Sequence, residues 1–188
     1  QAGVFLPKEP GNDLEVIALL WRGEQVNKSR HIEIGENQFY FLEGESFHNV
    51  ERAYFLGILF TSPLPEGIVT SGYGLRQNPF GGHRVFHNGI DIAAPPGTAV
   101  YAAREGTVTD LGYNAVFGYY IEIQHVGGYS TFYGHLNKIF VELHYQVNST
   151  MIIAEVGSTG RSTGPHLHFE IRKDGQARNP SLLTPGLQ

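Results

Sequence analysis

From Ile68 onward the apolar positions of this chain fall in short runs broken by glycine and proline, the pattern of brief strands joined by tight turns. Ile68-Val69-Thr70-Ser71, Ala99 to Ala103, Gly106 to Thr109, Tyr119 to His125 and Ser130 to His135 each read as a strand. The turn signals between them are Pro95-Pro96-Gly97, Glu105-Gly106 and Gly127-Gly128. They favour antiparallel pairing over parallel strands with helical crossovers. Tyr120 to Gln124 and the stretch after Gly128 read as the two arms of one hairpin, ending with His135 near the edge of the sheet. The content of 24 Gly, 10 Pro, 12 Phe and 10 Tyr supports the same expectation of a mainly β, antiparallel chain.

Residues 1–60 have a different texture, without the dense glycines, and Thr61-Ser62-Pro63-Leu64-Pro65 marks the boundary. His31-Ile32-Glu33-Ile34 alternates, Phe39 to Leu42 is aromatic, and Tyr54 to Phe60 is an apolar run. Val16 to Trp21 suits a buried strand, while Asn12 followed by Glu15 equally suits a capped helix start. The expectation is a small all-β accessory or regulatory module over 1–60, followed by a second domain over 61–188. The short junction between them suggests that residues 1–60 restrain the second part intramolecularly.

The formal charge of −5 is spread over interspersed acidic and basic residues, which predicts no nucleic-acid partner and no polybasic membrane patch. No apolar run approaches the roughly 18 residues of a spanning helix, so no membrane span is expected. The chain begins at Gln1 without a charged-then-apolar leader, and any export signal is expected to have been removed. With no cysteine, disulfides, thiolate metal sites and a cysteine nucleophile are excluded, so any metal must be held by histidine and carboxylate.

The strongest chemical signal is Gly164-Pro165-His166-Leu167-His168-Phe169-Glu170. Side chains on a strand repeat every two residues, so His166 and His168 project to one face while Leu167 and Phe169 point into a core. Two further segments, His87-Asn88-Gly89-Ile90-Asp91 and Tyr133-Gly134-His135-Leu136, add a carboxylate and two imidazoles. In an extended strand positions 87 and 91 would lie roughly 13 Å apart, too far to share a metal, so the chain must bend, and Gly89 permits it. His87, Asp91 and one member of the His166/His168 pair then suit a three-ligand site with an open position for water. Spacing alone leaves open which member of the pair that is. Two histidines and a carboxylate also suit a mononuclear iron site.

Taken together, His87-Asn88-Gly89-Ile90-Asp91-Ile92-Ala93-Ala94-Pro95, Gly97-Thr98-Ala99-Val100, Tyr133-Gly134-His135-Leu136, Gly157-Ser158-Thr159-Gly160 and His166-Leu167-His168-Phe169-Glu170 resemble the lysostaphin-type (LytM-like) zinc metalloendopeptidases. The resemblance runs from about Pro63 to Pro180 and includes Ser71, Tyr73, Gly74, Arg76, Asn179 and Pro180. It implies antiparallel sheets forming a groove, with one Zn2+ held by His87, Asp91 and His168, and with His135 and His166 as catalytic residues. It implies a peptidoglycan peptide as substrate and a periplasmic or cell-envelope location. Without a separate wall-targeting module of the kind attached to glycine-bridge cutters, the stem-peptide D-alanyl cross-link is favoured over a glycine bridge. The alternative is a catalytically silent wall-binding regulator of another hydrolase. Tyr133 either lines the groove or packs, and Arg76 either meets a substrate carboxylate or forms a structural salt bridge. His83 lies near His87 on a surface stretch, and His125 reads as structural.

Overall fold

The computed structural model describes residues 26–34, 37–42, 59–185 and 187. The chain divides into two compact units, Gln1–Ile58 and Leu59–Gln188. In the first, β1 (Val26–Ile34) and β2 (Asn37–Leu42) form an antiparallel hairpin with a register shift between Asn27 and His31. The alternating His31 to Ile34 and the aromatic Phe39 to Leu42 are therefore strands. The expected run Val16 to Trp21 lies outside the described residues, as does Tyr54 to Phe60 apart from its last two positions, which are not in a strand.

The second unit is built from twelve short strands. In chain order these are β3 (Ile68–Ser71), β4 (Gly74–Gln77), β5 (Arg84–His87), β6 (Ile90–Ala93), β7 (Ala99–Tyr101) and β8 (Gly106–Asn114). They continue with β9 (Gly118–Gln124), β10 (Tyr129–Ile139), β11 (Gln146–Val147), β12 (Ile152–Val156), β13 (His166–Lys173) and β14 (Gln176–Arg178). One ten-stranded sheet runs in the order β11-β8-β9-β10-β13-β6-β3, with β12 joined to β10 and β7, and β14 joined to β13. The hairpin β4–β5 is a separate two-stranded sheet, and its antiparallel register carries Gly74 opposite His87.

The period of two decides what is buried. On β13, Leu167, Phe169 and Ile171 are fully enclosed with Ile90 and Ile92 of β6 and Ile121 and Ile123 of β9. Each such side chain removed from water contributes about 1.5–3 kcal/mol, so this face fixes the register of the central strands. The opposite face of β13 carries His166, His168 and Glu170 and is the floor of a groove. The predicted β9–β10 hairpin forms as expected, through the turn at Val126–Gly128. Its second strand departs from the expectation that it ends at an edge with His135. β10 continues to Ile139 and lies between β9 and β13.

The expected junction is also more deeply built in than a linker. Phe60 and Leu64 are buried in the core of the second unit, and Thr61 donates its amide to the Ala103 carbonyl at 2.8 Å.

Candidate active site

Asp91 and His168 are directly paired residues on the antiparallel strands β6 and β13. His87 ends β5 in the other sheet, and the turn through Asn88 and Gly89 swings the chain from one sheet to the other between the two residues. Glycine is required at position 89 by close approach: a Cβ there would stand 2.3 Å from the Phe169 carbonyl oxygen of β13. The predicted bend is thus a crossing between two sheets, packed against the strand that carries His168.

The result is a tight triangle. Asp91 Oδ1 lies 3.1 Å from His87 Nε2 and 2.9 Å from His168 Nδ1, and the two ring nitrogens are 3.1 Å apart. All three residues are buried, at 5%, 8% and 5% exposure for His87, Asp91 and His168. The outer nitrogen of each ring is committed elsewhere. His87 Nδ1 donates to the Gly72 carbonyl at 2.9 Å, and His168 Nε2 donates to Glu170 Oε1 at 2.9 Å. In the neutral imidazoles, the hydrogens then point away and the two inner nitrogens carry lone pairs, converging with a carboxylate oxygen on one point. Such a donor set asks for a cation, and these three residues are a group able to hold a metal ion.

The electrostatics point the same way. Burial by itself would raise the Asp91 carboxyl, but the His168 and His87 rings, which donate to it whenever they carry a second proton, outweigh burial and hold the group well below the ordinary carboxylate range. Burial would lower His168, but the Asp91 and Glu170 carboxylates on either side raise it. Positive charge is therefore favoured between these carboxylates. Asp91 Oδ2 accepts from Arg76 Nη1 at 2.8 Å, leaving Oδ1 to face the triangle. Glu170 is 2% exposed and continues outward, its Oε2 accepting from Arg172 Nε at 2.8 Å. Arg172 Nη1 in turn reaches Glu122 Oε2 at 3.2 Å.

Two more imidazoles open on the same groove. His135 and His166 have ring centroids 4.7 Å apart, and His166 Nε2 is 3.8 Å from Asp91 Oδ1. Their Nδ1 atoms are both tied to backbone, His135 to the Thr159 carbonyl at 2.8 Å and His166 to the Gly164 carbonyl at 2.7 Å. This orientation leaves Nε2 of each ring free for other contacts. His135 adopts φ of 59°, a left-handed conformation that non-glycine residues enter sparingly, at a position where β10 shifts register against β9. Burial pushes its pKa down to about 4, so it is neutral at ordinary pH, although the Thr159 carbonyl works in the opposite sense.

The groove has a volume of about 790 Å³, and its lining includes His87, Asp91, His135, His166, His168 and Arg76. Five of the seven expected site residues thus cluster, and Arg76 joins them by its bond to Asp91. Tyr133 does not. Of its two expected places, lining the groove as a substrate-binding residue or packing, the structure has the second, which corrects the substrate-binding assignment: the side chain is fully buried in the core, and its hydroxyl accepts from the Ala103 amide at 2.9 Å. The phenol points to the apolar side because position 133 is out of phase with the groove face. His83 is exposed and bonds to Asn78, and His125 is buried between the Glu105 carbonyl and Thr131. Sequence reasoning gave no role to Glu170, though a two-residue offset from His168 puts it on the same strand face. It had no signal for the Thr159 and Gly164 carbonyls, because a backbone acceptor leaves no mark on residue identity.

Comparison with known proteins places this geometry. DD-carboxypeptidase/endopeptidase Mpg of Neisseria meningitidis serogroup B is 42% identical over 128 residues, covering 66% of this chain and 30% of its own length. Peptidoglycan DD-endopeptidase ShyA of Vibrio cholerae is 32% identical over 175 residues, covering 92% of this chain and 38% of its own. The chain therefore spans only about a third of these relatives. Among solved structures, a zinc containing peptidase from Vibrio cholerae superposes with a TM-score of 0.61 at 37% identity, over 65% of this chain and 39% of that one. The catalytic domain of lysostaphin from Staphylococcus simulans gives a TM-score of 0.56 at 31% identity, over 62% of this chain and 91% of that one. The lysostaphin-type resemblance read from the motifs is thereby supported by both sequence and fold. Residues 85–180, which contain the triangle and both groove imidazoles, match the Peptidase family M23 model, and the chain belongs to that family.

Proposed function

We propose that this chain carries a zinc-dependent endopeptidase activity that hydrolyses peptide cross-links of peptidoglycan at stem-peptide D-alanyl bonds, in the periplasm or cell envelope. The observation that carries the reading is the convergence of His87 Nε2, Asp91 Oδ1 and His168 Nδ1 beside two imidazoles that share an open groove. Support for the substrate comes from the peptidoglycan DD-endopeptidase relative, and support for zinc from the zinc containing structural neighbour.

In this reading His87, Asp91 and His168 hold the ion. Zinc supplies Lewis acidity, polarising the scissile carbonyl and bringing the pKa of water toward about 7. The protein's own groups then handle protons. His135, kept neutral by burial and anchored through Nδ1, accepts the proton of the attacking water at Nε2. His166, anchored to Gly164, stands beside it to orient the reacting groups and return a proton to the leaving amine. Arg76 acts chiefly by fixing Asp91, since its Nη1 is shared between Asp91 and Ser71 Oγ.

The test is to incubate the zinc-loaded chain and its His166→Ala variant with purified sacculi and identify released fragments by mass spectrometry. New peptide ends from the unmutated chain alone support the reading and name the bond. No release with one equivalent of zinc bound favours a wall-binding regulator. We also assign catalysis to residues 61–188 and restraint to residues 1–60, a reading motivated by the shortness of the junction. A chain lacking residues 1–58 should then turn over a soluble stem peptide faster, and unchanged turnover would remove the restraint.

A further inference from the structure

Four charged side chains line the groove: Arg76, Asp91, Arg161 and Glu170. Three of them are compensated. Arg76 is paired with Asp91, and Glu170 with His168 and Arg172. Arg161 makes no ion pair among the described residues. Its Cζ instead stands 4.4 Å from the centroid of the Phe80 ring, itself 46% exposed. A guanidinium seated on an aromatic face keeps its N–H edge open, and that edge matches a carboxylate in a two-point contact.

Arg161 is also held in place. Its amide donates to the Val116 carbonyl at 2.9 Å. Two residues earlier, Thr159 Oγ1 donates to the Leu136 carbonyl at 2.6 Å and accepts from the Tyr119 amide at 3.1 Å. The loop before β13 approaches β9 so closely here that a Cβ on Gly118, whose φ is +63°, would stand 2.2 Å from Thr159 Oγ1. The segment from 159 to 164 that carries Arg161 is the one whose carbonyls orient His135 and His166. A group bound by Arg161 therefore lies in the same groove as the two imidazoles, on the short piece of backbone that orients them.

We propose that Arg161 binds a free carboxylate on the substrate, the one attached to the carbon that bears the leaving amine; this rests on the reading of the site as a D-alanyl endopeptidase. On the acyl side of a D-alanyl bond the adjoining residue offers only a methyl group, so a neighbouring carboxylate has to come from the amine side. The substrate class is then a cross-link through a diamino diacid, whose leaving amine sits beside a carboxylate. A cross-link through a simple diamine, or a glycine bridge, offers no such group.

The test uses two synthetic cross-linked peptides that differ only at that carbon, carboxylate in one and carboxamide in the other. kcat and KM are measured for the metal-loaded full chain, Arg161→Gln and Arg161→Lys, and binding of both peptides is measured on the His166→Ala chain with and without Arg161→Gln. A charge-assisted contact predicts that the unmutated chain prefers the acid by roughly tenfold to a hundredfold, mainly through KM. Arg161→Gln erases that preference and Arg161→Lys keeps part of it. Equal use of acid and amide by the unmutated chain, or a preference that survives Arg161→Gln, overturns the proposal. Cleavage of neither peptide counts against the hydrolytic reading, while the binding measurement still decides the role of Arg161: discrimination lost with Arg161→Gln upholds it, and absence of discrimination overturns it.

Discussion

His168 faces Asp91 across two neighbouring strands with Nδ1 2.9 Å from Oδ1, while its other nitrogen, Nε2, is 2.9 Å from Glu170 Oε1. One imidazole is thus gripped between two carboxylates, and the two contacts do different work. Asp91 shares the cation-seeking triangle, whereas Glu170 fixes which nitrogen carries the hydrogen and how the ring is turned.

Glu170→Gln should therefore weaken metal binding without removing it. The amide keeps the shape but brings an NH2 that must face either the His168 N–H or the Arg172 N–H, so one donor loses its acceptor. Loss of such an outer partner typically costs about 10- to 100-fold in metal affinity. Competition against a chromogenic chelator measures this directly. Asp91→Asn, which removes a ligand, should abolish stoichiometric binding, and an affinity for Glu170→Gln equal to that of the unmutated chain would contradict the positioning role.

His135→Ala and His166→Ala should each retain one equivalent of metal while lowering kcat by about 10²- to 10⁴-fold, the range for loss of a proton-transfer group. Neither ring is part of the triangle, and both are held through Nδ1 by backbone carbonyls, so their removal leaves the ligand geometry in place. Because the two rings serve one proton path, the double variant should cost far less than the product of the single losses. Metal analysis beside steady-state rates separates this from loss of the ion.

Much of this site was legible because strands write their geometry into sequence. The two-residue period put His166 and His168 on one face and Leu167 and Phe169 in the core, as found. The spacing from His87 to Asp91 demanded a bend, and the bend is there, although its cause is the close packing of Gly89 on Phe169 and not a left-handed glycine. The β4–β5 hairpin gave little apolar signal because its strands are four residues each, Gly-Leu-Arg-Gln and Arg-Val-Phe-His, with one and two apolar positions among polar ones. The extent of β10 was hidden for a related reason, since exposed Asn137 and Lys138 follow the break at His135. A conformation imposed on one residue by the packing of three strands has no local sequence code. Tyr133 was misleading because the two-residue period puts it on the face of His135, and only the left-handed turn of His135, where β10 shifts register between Tyr133 and Leu136, sends the two side chains to different sides.

Tyr133→Phe tests that direction. The hydroxyl accepts from the buried Ala103 amide at 2.9 Å and is hydrogen-bonded to Thr131 Oγ1 at 2.9 Å. Removing it strands a buried donor, at a cost of about 1–3 kcal/mol. The melting temperature should fall while KM for a cross-linked peptide and metal affinity stay unchanged. A rise in KM with unchanged stability would return Tyr133 to the groove.

His125 predicts how the fold responds to acid. It is 4% exposed, with Nδ1 donating to the Glu105 carbonyl at 2.7 Å and Nε2 2.8 Å from Thr131 Oγ1. Burial lowers its pKa below the ordinary 6.5, reinforced by the Arg104 charge and opposed by the Glu105 carbonyl and carboxylate. The unfolded chain therefore takes up a proton at His125 before the folded chain does. Its stabilising contribution is complete above about pH 6.5 and is lost as the pH falls from there toward the folded value. His135, lowered to about 4, acts in the same direction. His125→Gln separates the two. Melting temperatures of the metal-loaded chain between pH 7 and pH 5 should fall less steeply in the variant than in the unmutated chain. Parallel slopes would mean that His125 is not the group that titrates, and that the acid sensitivity lies at the groove.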